Sequence, residues 1–180
     1  KFTMLQAALE KTKLILVTHE HLDHVGGISH ALHFDALAPR VGMTKEQIEG
    51  PTLKDAKFPE GAVAKLKPLM YDQMVSPEPG IVLVKAPGHS TGSQMIFVRL
   101  KDGKEFLFIG DIAWDMDNVS WVRGRPLLVA LMLKEDRAAV RGQLEAVKKT
   151  AEKEKLIVVV AHDKDQWEDY VQKGLIEAGY

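Results

Sequence analysis

Thr18-His19-Glu20-His21-Leu22-Asp23-His24-Val25-Gly26-Gly27 places three of the chain's seven histidines, with an aspartate among them, inside six residues. Imidazole and carboxylate are the ligand types that hold zinc, iron or manganese. In an extended segment, side chains two residues apart point the same way, so His19 and His21 can reach one metal ion. Asp23 and His24 are neighbours where the chain turns into a helix, and they can face an adjacent position. One segment thereby serves two sites, which lie about 3.5–4 Å apart in typical two-metal enzymes.

Immediately before the cluster stands Leu14-Ile15-Leu16-Val17, an apolar run that predicts a strand buried on both faces. Further upstream, residues 2–11 predict an amphipathic helix with Leu5, Ala8 and Leu9 on one face. Downstream, a helix is expected over about residues 25–33 and a short strand over 37–41. The stretch 43–79 holds Pro51, Pro59, Pro68, Pro77 and Pro79 and reads as a connecting region with one helical piece near 45–49. Ile81-Val82-Leu83-Val84 predicts a second buried strand, feeding the loop Pro87-Gly88-His89-Ser90-Thr91-Gly92. Residues 94–100 and 105–109 read as a hairpin about Asp102-Gly103, closed by Gly110-Asp111.

The clearest helix covers 137–153, where Val140, Leu144, Val147 and Ala151 recur at helical spacing and Asp136 is placed to cap. Residues 156–160 form another buried strand, ending at Ala161-His162-Asp163, and a last helix spans about 165–173 with Gly174 to stop it. Strands that lead into polar loops, separated by helices, predict an α/β fold with its chemistry at strand ends. Four such ends carry His19, His89, Asp111 and His162. His89 and His162 complete the donor set of the first segment, and Asp111 is the candidate bridging carboxylate.

Four segments together resemble the metallo-β-lactamase superfamily. The first matches its H-x-H-x-D-H signature, Pro87-Gly88-His89-Ser90-Thr91-Gly92-Ser93 its second metal motif, Phe108-Ile109-Gly110-Asp111 its Gly-Asp motif and Ala161-His162-Asp163 its final His motif, all in the family's order. The resemblance runs from about Phe2 to the C-terminus. It implies that His19, His21 and His89 hold a first metal, that Asp23, His24 and His162 hold a second, and that Asp111 bridges the pair. It also implies a four-layer α/β/β/α sandwich, here as a single domain over residues 1–180 lacking most early strands of the N-terminal half. The implied cofactors are two divalent ions, with zinc expected and iron or manganese as alternatives. The implied chemistry is hydrolysis of a small molecule by a hydroxide that bridges the metals. Asp111 would hold the two ions together, and Asp23 would orient the water or carry its proton. No G-x-S-x-G elbow is present to suggest a serine hydrolase.

Within that resemblance the branches separate by residue type. Di-iron flavoprotein-type enzymes have Glu where His21 stands, and zinc β-lactamases lack the bridging Asp. Glyoxalase II-type thioesterases and acyl-homoserine lactonases fit the donor set, so an ester, thioester or lactone is the expected substrate. A mononuclear iron persulfide dioxygenase and a catalytically inactive metal-binding domain are the alternative readings.

Bulk composition narrows the partners. With 24 Lys+Arg against 25 Asp+Glu and a net charge of −1, no basic excess points to nucleic acid. The absence of cysteine removes disulfides, Cys-zinc sites and thiol nucleophiles, and fits cytoplasm and periplasm equally, so the compartment is unknown. No apolar run is long enough to span a bilayer. The chain starts at Lys1 rather than Met, so the expectation is that a natural N-terminus, with any signal or anchor it carried, lies outside it. Sheet edges left uncovered would favour pairing into a homo-oligomer. His30 and His33 read as exposed or supporting residues, Trp114 and Trp121 as core packing ahead of a substrate wall, Tyr71 as packing or exposed, and Arg123 and Arg125 as solvated surface.

Overall fold

The computed structural model describes residues 2–177. They cluster into two compact units, one up to Tyr71 and one from Asp72 onward.

The first unit opens with α1 (Phe2–Lys11), then β1 (Ile15–Leu16) and α2 (Leu22–Ser29). The expected apolar face of α1 is borne out in part: Leu9 packs on the core, while Leu5 is exposed and Gln6 is buried, its Nε2 donating to the Gly27 carbonyl at 2.8 Å. Helix α2 starts earlier than expected, with His21 at its N-cap, so Asp23 and His24 fall in its first turn. Residues 37–41 are not a strand. Phe34–Leu37 is a short helix, α3, continued by a 3-10 turn over Ala38–Arg40, and only Val41–Gly42 (β2) pairs, parallel to β1. Pro39 suits the first positions of such a turn, where an N–H has no partner to lose. Helix α4 (Lys45–Ile48) is closed by a capping box between Thr44 and Gln47. Buried Gln47 then reaches back, its Nε2 donating to the Val17 carbonyl at 3.1 Å, and so fixes the strand end that leads into His19. The core of this unit joins Ile15, Val17, Val25, Ile28, Leu37, Val41 and Met43.

The second unit is built on a mixed five-stranded sheet in the order β3-β4-β5-β6-β7. Its strands are β3 (Met74–Glu78), β4 (Ile81–Lys85), β5 (Gln94–Arg99), β6 (Glu105–Gly110) and β7 (Ile157–Val160). The first four run antiparallel in sequence order, and β7 joins β6 in parallel. Strand β3 lay inside the stretch expected to be irregular. It is an edge strand with a register shift between Val75 and Glu78 and with Pro77 inside it, features tolerated only at an edge.

Connecting β6 to β7 are α5 (Met116–Ser120), α6 (Leu127–Met132) and α7 (Arg137–Glu154), and α8 (Lys164–Gln172) follows β7. Asp136 caps α7 as expected, its carboxylate accepting from the N–H groups of Ala138 and Ala139. Val140, Leu144 and Val147 of α7 pack on Leu107, Ile109, Val158 and Val160 of the sheet. Burying each such side chain stabilises by about 1.5–3 kcal/mol. The α/β class expected from the sequence is what the structure shows. Among the described residues, no helix is long and apolar enough to cross a membrane.

Candidate metal centre

In the first unit, β1 delivers His19 into a buried position, and the extended backbone of residue 21 brings its ring alongside. His19 Nε2 and His21 Nδ1 are 3.1 Å apart, and the His19 ring lies 4.6 Å from that of His21 and 3.9 Å from that of His24. Thr18 Oγ1 lies 3.2 Å from His19 Nδ1 and 3.4 Å from His24 Nδ1, and so orients both rings. Asp23 is exposed beside His24, with Oδ2 3.6 Å from His24 Nε2. Three imidazoles and a carboxylate therefore gather over one turn of chain, as the spacing predicted. Between them, Glu20 is buried against Gly50, where a Cβ would stand 2.7 Å from Glu20 Oε1. This close approach is the reason for a glycine at 50, and nothing local in the sequence signals it.

In the second unit, the site is organised around Asp111. Gly110 ends β6 with φ +53°, a left-handed conformation that costs a glycine little, and the register slips against β7 at the same point. Asp111 is thereby turned out of the sheet yet remains buried. One carboxylate oxygen, Oδ1, is 3.2 Å from His162 Nε2, while the other, Oδ2, is 3.6 Å from His89 Nε2. Trp114 Nε1 donates to Oδ2 at 2.7 Å. The loop carrying Trp114 is itself tied to the end of β7. The His162 N–H donates to the Trp114 carbonyl at 3.0 Å, and the Met116 N–H donates to Asp163 Oδ2 at 2.9 Å.

His89 is buried, and its Nδ1 lies 3.1 Å from Glu135 Oε2. An ionised carboxylate only accepts, so Nδ1 carries a proton, and in a neutral imidazole Nε2 is then the nitrogen that holds the lone pair. A carboxylate behind a histidine in this way is the usual support of a metal-ligating imidazole. The same Glu135 oxygen accepts from Arg125 Nη1 at 2.5 Å, and Arg125 Nη2 donates to the Asp111 carbonyl. The guanidinium also lies over the Trp114 ring, 4.4 Å from its centroid. Burial pushes the Arg125 pKa down, opposed by the neighbouring carboxylates of Glu135 and Asp111.

Two readings from sequence are thus corrected. Arg125 is 5% exposed and not solvated surface, while Arg123 is exposed as expected. Trp121 is 74% exposed and packs into no core. Glu135 was not foreseen at all. It lies 46 residues from His89, and nothing in its local sequence marks it. His30 and His33 are exposed, in line with the expectation for them. Tyr71 is half-buried, and its pKa is pushed up to about 12 by desolvation and then by Glu46.

A family model described as the beta-lactamase superfamily domain matches residues 2–159. The chain is 26% identical to the N-acyl homoserine lactonase AttM of Agrobacterium fabrum (strain C58 / ATCC 33970), over 88% of this chain and 60% of that protein. It therefore spans about 60% of the length of the curated relatives it matches. An N-acyl homoserine lactone hydrolase solved with the product N-hexanoyl-L-homoserine at its catalytic metal centre shares the fold. Its TM-score is 0.66 at 20% identity, over 93% of this chain and 64% of that one. The dizinc quorum-quenching lactonase AidC, solved with the same kind of product, matches with a TM-score of 0.64 at 16% identity, over 91% of this chain and 62% of that one. With the family model matched along most of its length, the chain belongs to the metallo-β-lactamase superfamily.

Proposed function

We propose that the chain carries a two-metal centre that hydrolyses a carboxylic ester bond in a small molecule, with a lactone as the first substrate class. In this reading both units are parts of one metallo-β-lactamase domain. His19, His21 and His89 would hold one ion, Asp23, His24 and His162 would hold the second, and Asp111 would be shared between them. The observation that carries the reading is the Asp111 carboxylate, whose two oxygens are divided between His89 Nε2 and His162 Nε2. A carboxylate shared in this way, with His89 fixed in the tautomer that leaves Nε2 as donor, is the chemistry that two divalent cations require. The lactonases among the relatives support the choice of substrate.

Two divalent ions, when bound, would supply a nucleophile at neutral pH and polarise the acyl carbonyl. The chain's own residues do the rest. Glu135 keeps the His89 ring in one orientation, and Trp114 holds Asp111 by one oxygen. Asp23, exposed at the start of α2, would take the proton of the attacking water and return it to the leaving alkoxide. Water oxygen joins the carbonyl carbon, the ring C–O bond breaks, and the product is a hydroxy acid.

The test is metal content together with turnover. Elemental analysis of protein purified without chelator is expected to find about two ions per chain. N-hexanoyl homoserine lactone should be opened by the zinc-loaded protein and not after chelation. Substantially less than one ion per chain after zinc is supplied would overturn the metal centre. Full metal with no turnover of lactone, ester or thioester would overturn the hydrolase.

A further inference from the structure

A cavity of about 520 Å³ is lined by Val122, Arg123, Arg125, Arg137 and Arg141, together with Glu135. The geometry points to this cavity as a binding site for a phosphate-bearing small molecule, separate from the metal ligands.

Three observations carry it. First, charge: four guanidinium groups face one carboxylate, and Glu135 is already committed to Arg125 and His89. Among the described residues, Arg123 and Arg137 have no carboxylate within ion-pair distance, and Arg141 pairs only with exposed Glu145 at 3.3 Å. An exposed pair of that kind contributes little and is easily exchanged for a stronger anion. Second, a polar atom is left over: Arg125 Nε is buried and has no hydrogen-bond partner among the described residues. A buried N–H of this kind is destabilising unless something accepts from it. Third, the loop that presents Arg123 and Arg125 is strained. Val122 adopts φ +48°, a conformation that β-branched residues avoid, and it is held there by the Arg123 N–H donating to the Asn118 carbonyl at 2.9 Å.

Guanidinium forks match phosphate oxygens two at a time. An excess of positive charge suits a dianion better than a single carboxylate. The volume exceeds that of a free phosphate ion and lies in the range of small-ligand pockets, about 300–1,000 Å³, so a phosphomonoester fits better than inorganic phosphate.

The probes are phenyl phosphate, inorganic phosphate and acetate, titrated calorimetrically into the full chain, once zinc-loaded and once after chelation. Phenyl phosphate is expected to bind with and without zinc, more tightly than inorganic phosphate, and acetate not at all. The double variant R123Q/R141Q, at two exposed positions, should weaken binding about tenfold or more while leaving the circular dichroism unchanged. Should that variant unfold, R137Q serves the same purpose. Equal binding of inorganic phosphate would assign the site to the free ion. Binding that disappears on chelation and ignores the arginine variants would place the phosphate at the metals and overturn the proposal. So would no binding at about 10 mM, well above the millimolar range of weak sites.

Discussion

Glu135→Gln isolates the role of the carboxylate that stands behind His89. The Glu135 side chain is 1% exposed and accepts from both His89 Nδ1 and Arg125 Nη1. Both donors meet the same oxygen, Oε2, so a glutamine oxygen in its place can still accept from each, and what the substitution removes is the negative charge. The buried Arg125 guanidinium is then left without its ionic partner. A lost hydrogen bond to a charged group costs about 1.5–3 kcal/mol, and breaking a buried ion pair about 3–5 kcal/mol. About 3 kcal/mol is the expected loss, at the lower end for a broken buried ion pair, because the Gln oxygen still accepts where Oε2 does. For a chain of this size that lowers Tm by about 6–12 °C. Zinc affinity should fall about 10–100-fold, since His89 loses the group that fixes its ring. Thermal unfolding of the chelated protein reads the first effect, and competition with a chromophoric chelator reads the second. Adding Arg125→Met to E135Q removes the orphaned charge and should recover part of the stability without recovering zinc affinity. Zinc affinity within about twofold of the parent, beside a lowered Tm, would show that Glu135 serves Arg125 alone, and the reasoning about His89 would fail.

Other consequences are open to measurement. Gly50→Ala places a Cβ 2.7–2.9 Å from the buried Glu20 side chain, so urea unfolding should show a loss of about 1–3 kcal/mol. Trp114→Phe removes the donor 2.7 Å from Asp111 Oδ2, and the lactone assay should show a lower kcat at saturating zinc with KM little changed, whereas an unchanged kcat would deny Trp114 a positioning role. The Tyr71 hydroxyl, pushed up to about 12, favours the protonated folded state. Its contribution to stability is complete below the ordinary tyrosine value of about 10 and is lost as pH rises from there towards the folded value. Denaturation midpoints measured across that window should fall, and should fall less in Y71F.

Sequence legibility followed separation along the chain. His19, His21, Asp23 and His24 could be grouped because strand and helix geometry alone decide where neighbours point. Asp111 could be named as a candidate because a glycine at a strand end marks the turn that carries it out of the sheet. Helix α7 matched its pattern because its stripe and its Asp136 cap are both local. Strand β3 escaped because Pro77 and the register shift are edge features, and their meaning depends on a partner, β4, that the segment itself does not announce. The expected strand over 37–41 failed for the opposite reason. Its apolar residues meet the core from a helical turn, and only one of them, Val41, pairs with β1.

The support of the site was illegible for a sharper physical reason. Arg125 looks like surface in sequence, since an isolated arginine is nearly always solvated. It is buried here because Glu135 and the Asp111 carbonyl together satisfy it, and Glu135 is in turn held by His89. None of the three is stable in that place without the others: Arg125 alone would be a buried charge, Glu135 alone another, and His89 would be free to turn. Local pattern reads groups that are stable one at a time. A network whose members are each unfavourable alone has no local signature, and His89 and Asp111 rest on such a network.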